Sequence, residues 1–269
     1  MTIRSSPAQT LRTVTATRYV TPLREGGSLP AIIEADDDGM YVLKFRGAGQ
    51  GPKALIAELV AGELARSLGL PVPDIVLVEL DPALGRAEPD PEIQDLLQAS
   101  IGLNLALDYL PGALAYSPAT TSPLDPLLAS KIVWFDAYVT NVDRTPRNPN
   151  LLVWHDRLYL IDHGAALYVH HTWAPELARG DTPFTMIRDH VLLPQASAIP
   201  EAAEACLSLL TTDLIDAVVG LIPDSWLETD RDTSTLAERR AAYRNYLHRR
   251  RDAAPIFTEE AVRAHARIV

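Results

Sequence analysis

The amino-acid sequence predicts an α+β fold with two lobes, a small lobe built on an antiparallel sheet and a larger lobe of helices. Residues 13–110 contain five segments whose composition and alternation are typical of strands, with one amphipathic helix among them. From about residue 113 onward, helical periodicity dominates. We therefore expect an amino-terminal lobe over residues 1–112 and a carboxyl-terminal lobe over residues 113–269, with a cleft between them that could hold a ligand.

The amino-terminal half begins with three predicted strands, TVTATRYV, PAIIEA and MYVLKF, separated by the turn-rich pieces LREGGS and DDDG. The next segment, KALIAELVAGELARSLGL, predicts a helix that ends at Gly69, because glycine favours helix ends and Pro71 follows. Its apolar positions recur at helical spacing, at Leu55, Leu59, Leu64 and Leu68. The strands IVLVEL and GLNLALDYL complete this half.

The carboxyl-terminal half opens with a predicted helix, PLLASKIVWFDAYVTN, for which Asp125 is a suitable cap. Two short strands follow, LLVW and RLYLID, joined at His155 and Asp156. This pair lacks the glycine that the tightest hairpin turns favour, but its length predicts a hairpin. From about Glu201 the chain is predicted to be mostly helical.

Composition excludes several functions. The chain has 269 residues, of which 47% are hydrophobic, and a net charge of −11, which argues against direct binding of nucleic acid. It has no run of 18 apolar residues and no apolar amino-terminal segment of the secretory type, so we expect no membrane partner and a cytoplasmic location. The single cysteine, Cys206, cannot form an internal disulfide.

One basic cluster lies in the helical carboxyl-terminal stretch. We expect it to form a solvated helix face paired with nearby acids. Its members are Arg239, Arg240, Arg244, Arg249, Arg250 and Arg251.

A lysine and a glutamate in the amino-terminal half indicate nucleotide chemistry. Lys44 lies late in the strand MYVLKF, where a rigid backbone can hold its ammonium group within reach of phosphates. Glu58, on the following helix, can pair with Lys44 and orient it. Spacing alone leaves Glu63 as an alternative partner.

Two carboxylate motifs follow in the carboxyl-terminal half. Asp143 opens a loop after a helix, with Asn148 and Asn150 five and seven residues later, just before a strand. A carboxylate there can accept the proton of an attacking hydroxyl, and an asparagine oxygen can bind Mg²⁺. Asp162 comes directly after RLYLI and begins Asp162-His163-Gly164, where a carboxylate can bridge Mg²⁺ to phosphates and the glycine allows a sharp turn.

The loop Asn141-Val142-Asp143-Arg144, the Asp162-His163-Gly164 motif and the stretch AELVAGELARSLGLPVP together resemble the HipA-like kinases. These are distant relatives of the protein kinases and the phosphatidylinositol kinases. The resemblance implies a bilobal protein-kinase-like fold, ATP in the cleft, Mg²⁺, and phosphoryl transfer to a hydroxyl, often of a protein serine or threonine. It also favours Glu58 over Glu63, because the family's glutamate fits that position.

The resemblance assigns roles to the remaining residues. Lys44 would contact the phosphates, Glu58 would orient it, Asp143 would contact the acceptor hydroxyl, and Asp162 would bind Mg²⁺. The chain lacks a G-x-G-x-x-G phosphate loop, and the nearest candidate, Gly26-Gly27-Ser28, could equally be a plain hairpin turn. The connector from Asp108 through Tyr109 to Leu110 would read the adenine edge, and the same segment could also serve as a core strand. Arg144 and Arg147 would neutralise phosphate or substrate charge, or else lie on the surface.

Either Asn148 or Asn150 could be the second metal ligand. Asn148 has the five-residue spacing of protein kinases, whereas Asn150 directly precedes the strand LLVW and is favoured because a strand is the more rigid anchor. Pro149 restricts the backbone between them, so we expect the two side chains not to point into the same site.

The same residues leave other functions open. The acceptor could be a lipid or a small metabolite in place of a protein. A nucleotide-binding pseudokinase that acts as an interaction module is a further alternative. The chain has the lysine, the glutamate, both aspartates and the asparagine that the reaction requires, which argues against it.

Overall fold

The computed structural model describes residues 11–23, 29–49, 51–84, 88–119, 123–173, 179–228 and 234–268. All five strands predicted for the amino-terminal half are present. They are β1 (Thr13–Pro22), β2 (Ala31–Ala35), β3 (Met40–Lys44), β4 (Ile75–Leu80) and β5 (Gly102–Asp108).

These strands form a closed barrel in the order β1-β2-β3-β5-β4, so the expectation of a purely antiparallel sheet is wrong in one pairing. β1 pairs in parallel with β4 at Thr13–Thr15 and antiparallel with β2 from Ala16 onward. The physical reason lies in β1, whose register shifts after Ala16 and again after Tyr19. Such irregularities bend a strand, which lets β1 contact both neighbours and close the barrel.

The helix α1 (Pro52–Ser67) occupies the predicted position between β3 and β4. It begins with proline near its first turn and buries ten of its residues. At Gly62 the helix approaches β4 so closely that a Cβ would overlap the side chain of Ile75. Eight of these ten belong to the core that α1 shares with the carboxyl-terminal helices, whereas the barrel interior forms a second core.

A helix that the sequence interpretation missed, α2 (Pro91–Ala99), lies between β4 and β5. Its signals were present, because Asp90 caps the helix by accepting a hydrogen bond from the amide of Glu92, and Pro91 is the first helical residue. The short strand β6 (Leu114–Ala115), which pairs with β7 (Leu151–Trp154), was also missed.

The carboxyl-terminal half begins as predicted with α3 (Pro126–Tyr138), where Asp125 accepts a hydrogen bond from the amide of Leu128. β7 and β8 (Arg157–Leu160) form the predicted hairpin. His155 and Asp156 have φ of 48° and 60°, so both adopt the left-handed conformation without glycine. Histidine and aspartate are among the residues that tolerate it best.

Helices dominate the remainder of the described chain, as expected. They are α4 (Ile199–Leu209), α5 (Thr212–Gly220), α6 (Asp224–Leu227), α7 (Leu236–Asp252) and α8 (Ala254–His265), preceded by short 3-10 helices at Tyr168–His171, Thr185–Asp189 and Leu193–Gln195. No helix in the described part of the chain is long and apolar enough to cross a membrane.

The basic cluster on α7 is only in part the solvated face that the sequence predicted. Arg240 pairs with Asp224 and Arg244 with Asp216, as expected. Arg250, in contrast, is fully buried and lies over the ring of Phe257. Its guanidinium donates hydrogen bonds to the carbonyls of Ala137, Tyr138, Gly180 and Thr182. This arginine therefore joins α3 and α7 to the segment that precedes the second 3-10 helix.

Candidate active site

The structure brings together a lysine and two carboxylates from three separate parts of the chain. The Lys44 ammonium at the end of β3 donates hydrogen bonds to Glu58 Oε2 on α1, at 2.7 Å, and to Asp162 Oδ1 after β8, at 2.5 Å. Glu63 instead lies 3.4 Å from Arg66 on its own helix. The geometry therefore favours Glu58 over Glu63 as the partner of Lys44.

Electrostatics keeps the Lys44–Glu58 pair charged. Burial by itself would lower the pKa of Lys44, but attraction by Glu58 and Asp162 outweighs it and raises the pKa above its ordinary value. Burial would likewise raise the pKa of Glu58, yet Lys44 and His163 hold that pKa well below its usual range. Asp162 is less enclosed than its partners, since 43% of its side chain is exposed against 14% for Lys44.

His163 and its neighbours fix the motif that carries Asp162. The buried His163 ring places Nδ1 3.4 Å from Glu58 Oε1 and packs edge-on against Phe135. The sharp turn expected of Gly164 occurs instead at Asp162, which is left-handed with φ of 55°. Gly164 lies against the first turn of α1, because a Cβ there would be 3.7 Å from the carbonyl oxygen of Ala54.

The loop after α3 gathers Asp143 and both candidate asparagines. Asn148 Nδ2 donates to Asp143 Oδ2 at 2.7 Å, and Asn150 Nδ2 lies 3.0 Å from the Asp143 carbonyl and 3.4 Å from the same Oδ2. The expectation that the two asparagines would not share a site is therefore wrong. Asn150 has φ of 49°, and this left-handed backbone allows its side chain to reach the same carboxylate despite Pro149.

The two asparagines differ in how firmly they are held. Asn150 is partly buried, and its carbonyl accepts hydrogen bonds from the amide of Ile161, at 3.1 Å, and from Arg144 Nη1. Its Nδ2 is directed at Asp143, and its Oδ1 accepts no hydrogen bond from the residues that the structure describes. Asn148 is exposed.

The donor set fits a hard divalent cation. In the described ranges no group of three or more His, Cys, Asp or Glu side chains has an arrangement that could hold a metal ion. A metal at this site would therefore need asparagine amide oxygens and ligands from the substrate beside its carboxylates. Mg²⁺ is usually bound in this way, through one or two carboxylates and substrate phosphates.

Arg144 has a different position from the one expected. It is 1% exposed, so the alternative that it is a surface residue is wrong, and its Nε donates to Asp136 Oδ2 at 2.5 Å, which pairs its charge within the protein. Asp136 also accepts hydrogen bonds from Asn141 and His190, at 3.0 and 2.9 Å. Arg147, three residues further along, is exposed. Sequence interpretation did not single out Asp136, which with Lys131 is one of two charged residues in a largely apolar helix.

The connector predicted to read adenine has fewer free groups than expected. The amide of Asp108 donates to the carbonyl of Asp74 at 2.8 Å, and the amide of Tyr109 donates to the carbonyl of Met40 at 3.0 Å. The amide of Leu110 donates to no other residue in the described part of the chain. Gly26, Gly27 and Ser28 lie outside the described residues.

Comparison with known proteins places this site in a family. A family model described as HipA-like kinase matches residues 17–254. The chain belongs to the HipA-like kinase family. A search of curated protein sequences found no match.

Three solved structures align with this chain. The crystal structure of a Helicobacter pylori proinflammatory kinase, CtkA, aligns with a TM-score of 0.54 and 11% identity over 96% of this chain and 99% of that chain. Two structures of the Golgi casein kinase cover 93% of this chain and 73% of theirs. One aligns with a TM-score of 0.47 and 14% identity, and the other, which has Mn/ADP bound, with 0.48 and 13%. At this identity the CtkA alignment indicates the fold alone, and the family match identifies this HipA-like chain as a kinase.

Proposed function

We propose that this kinase uses ATP and Mg²⁺ and transfers the γ-phosphate to a serine or threonine hydroxyl of a protein. In this proposal, residues 1–112 and 113–269 form two lobes with the nucleotide between them, and the reaction takes place in the cytoplasm, which supplies both ATP and Mg²⁺.

The observation that carries the proposal is the contact of Lys44 with both Glu58 and Asp162. These residues come from a strand, a helix and the end of a hairpin, and Lys44 and Asp162 are 118 positions apart. In protein kinases a strand lysine paired with a helix glutamate contacts the phosphates, and an aspartate after a hairpin holds the metal. The same three groups meet here in the same order along the chain.

The chemistry assigned to the site is an in-line displacement. The acceptor oxygen attacks the γ-phosphorus, the bond to the β–γ bridging oxygen breaks, and ADP leaves with the electron pair. Asp143 accepts the proton of the acceptor hydroxyl, with its carboxylate oriented by Asn148. Lys44, oriented by Glu58, binds phosphate oxygens.

Magnesium, when bound, would neutralise charge that develops on the phosphates. Asp162 would hold it together with Asn150, which we favour over Asn148 because its backbone is anchored at the base of the hairpin. The backbone of the Asp108–Leu110 connector would read the adenine edge, with the Leu110 amide as the donor. Gly26, Gly27 and Ser28 remain the candidates for further contacts with the phosphates.

Incubating the protein with a cell lysate and γ-labelled ATP tests the proposal, with Asp143→Ala run in parallel. We expect label in protein, recovered as phosphoserine or phosphothreonine after acid hydrolysis, and its loss with Asp143→Ala. Label recovered only in lipid or in small metabolites would replace the protein acceptor with one of those classes. Binding of ATP without any transfer would support a nucleotide-binding interaction module and contradict the kinase reaction.

A further inference from the structure

Arg144 follows the proposed catalytic aspartate in the chain, but its side chain points into the protein. It contacts the base of the hairpin that lies between the two proposed metal ligands. Its Nη1 donates to the carbonyl of Asn150, which directly precedes β7. The same nitrogen donates at 3.3 Å to the carbonyl of Ile161, which directly follows β8. Asn150 and Ile161 are themselves joined by a backbone hydrogen bond of 3.1 Å. One guanidinium nitrogen therefore bridges both sides of the open end of this hairpin.

The two carbonyls that Arg144 contacts belong to the backbone at the proposed metal ligands. One belongs to Asn150 itself, and the other belongs to the peptide group that joins Ile161 to Asp162. Both Asn150 and Asp162 have left-handed backbones, with φ of 49° and 55°. Such conformations in residues other than glycine persist only when surrounding contacts hold them. Hydrogen bonds from a charged donor are among the strongest contacts available for this.

Arg144 is itself held rigidly from the opposite side. Its Nε donates to Asp136 Oδ2 at 2.5 Å, and both side chains are 0% exposed. His190 supports the same oxygen, with its Nε2 at 2.9 Å, while its Nδ1 accepts from the amide of Leu192 at 3.0 Å. This places the ring hydrogen on Nε2, as a donor to Asp136. The amide of Val191 donates to the carbonyl of Arg144 at 3.0 Å, which fixes the arginine backbone as well.

We propose that Arg144 is a positioning residue that sets the relative placement of Asn150 and Asp162 through their backbones, and thereby the affinity for the divalent cation. This inference rests on the proposed function, because it concerns the same metal site. A residue that only joined α3 to the loop would affect stability and leave the affinity for metal unchanged. The two roles are therefore separable by experiment.

Arg144→Lys is the informative variant. It keeps a cation beside Asp136, so no buried carboxylate is left without a partner, but an ammonium lacks the planar fork that reaches Asp136 and two carbonyls together. Removing a group that orients metal ligands typically costs 10–100-fold in metal affinity or activity. Arg188→Lys is the matched control, because Arg188 is exposed and pairs only with the adjacent Asp189 among the described residues.

The measurement is the dissociation constant of Mn²⁺ in the presence of ATP, followed by electron paramagnetic resonance, together with the Mg²⁺ concentration that gives half-maximal turnover. We expect Arg144→Lys to raise both by about 10–100-fold, with little change in the KM for the acceptor, and Arg188→Lys to leave both unchanged. If Arg144→Lys folds poorly, the double variant Asp136→Asn with Arg144→Gln removes both charges together and should show the same rise.

Metal constants within about twofold of the wild type in a folded Arg144 variant would overturn the inference and reduce Arg144 to a structural ion pair. Failure of the wild-type protein to bind Mn²⁺ with ATP is a different result, because it would contradict the proposed function and, with it, the inference that depends on it.

Discussion

The Lys44 network and the Arg144 network each join a cation to a buried carboxylate, and the two differ in their access to solvent. In the Lys44 network, the lysine side chain is 14% exposed and that of Asp162 is 43% exposed. In the Arg144 network, the side chains of Arg144 and Asp136 are both 0% exposed. Each network also includes a buried histidine next to its buried carboxylate, His163 beside Glu58 and His190 beside Asp136.

The difference in exposure separates two roles that residue type alone does not. A lysine that is partly open to solvent can exchange a carboxylate contact for a phosphate oxygen, because water can reach the site while partners change. The Arg144 guanidinium is buried, with its Nε and Nη1 bonded to protein acceptors and its Nη2 without a partner in the described part of the chain. It cannot leave Asp136 without leaving one of the two charges buried and unpaired, which is costly. We therefore assign substrate contact to the Lys44 network and positioning to the Arg144 network.

The largest expected effect is a difference in unfolding free energy between variants of the two networks. Asp136→Asn leaves the buried Arg144 without its counter-charge, and breaking a buried pair in this way typically costs about 3–5 kcal/mol. Asp162→Asn removes a partly exposed partner and leaves Lys44 paired with Glu58, so we expect a loss below about 1 kcal/mol. Chemical unfolding of both variants measures the two values. Equal losses would show that exposure does not distinguish the networks.

The second effect concerns turnover. Asp162→Asn should lower the rate of phosphoryl transfer by about 100- to 1000-fold, the usual size of a lost electrostatic contribution to a transition state, while the protein stays folded. Steady-state rates at saturating ATP and Mg²⁺ check this. Retention of more than a tenth of the wild-type rate would remove Asp162 from the proposed site.

A smaller effect should distinguish the two asparagines. Asn150→Ala should raise the Mg²⁺ concentration for half-maximal turnover by about tenfold or more, because Asn150 is anchored to the hairpin by its backbone. Asn148→Ala should have a milder effect, since the residue is exposed and contacts only the Asp143 carboxylate and Thr145 among the described residues. The opposite ranking would mean that the five-residue spacing from Asp143 determines the ligand.

The smallest effect is the dependence of stability on pH. The pKa values of Glu58 and Asp136 are lowered in the folded protein by their cationic partners, although burial opposes this. Their contribution to stability is therefore present above the unfolded-state pKa of about 4, and is lost as the pH falls through the lower folded-state values. Urea midpoints between pH 3 and 7 should decline in acid, and the decline should be shallower for Asp136→Asn. Parallel curves for the two proteins would contradict this assignment.

Local pattern was sufficient to predict most elements of the fold. The strands, α1, α3 and the β7–β8 hairpin were predicted because alternation, helical spacing and caps are properties of adjacent residues. Closure of the barrel was not predicted, because the parallel pairing of β1 with β4 depends on irregularities within β1 and not on its composition. α2 was overlooked although Asp90 and Pro91 signal its start.

At the candidate site, too, the sequence predicted some features and others depend on the fold. The order of Lys44, Asp143 and Asp162 along the chain predicted these three site residues, and the family resemblance favoured Glu58 over Glu63. The structure places Lys44 against Glu58 and Asp162. The position of Arg144 could not be predicted, since its acceptors come from α3 and from both ends of a hairpin. His190, 54 positions from Asp136, joins the network only through the fold.

The central claim is that Lys44 contacts the nucleotide whereas Asp143 contacts the acceptor. The most direct test is the rise in melting temperature caused by ATP with Mg²⁺ in three proteins, the wild type, Lys44→Ala and Asp143→Asn, beside their turnover. A ligand selective for the folded state raises the melting temperature by mass action. We expect a clear rise for the wild type, a much smaller one for Lys44→Ala, and a nearly full one for Asp143→Asn with turnover reduced by about 100-fold or more. No rise in the wild type at millimolar ATP, or an equal rise in Lys44→Ala and the wild type, would contradict the claim.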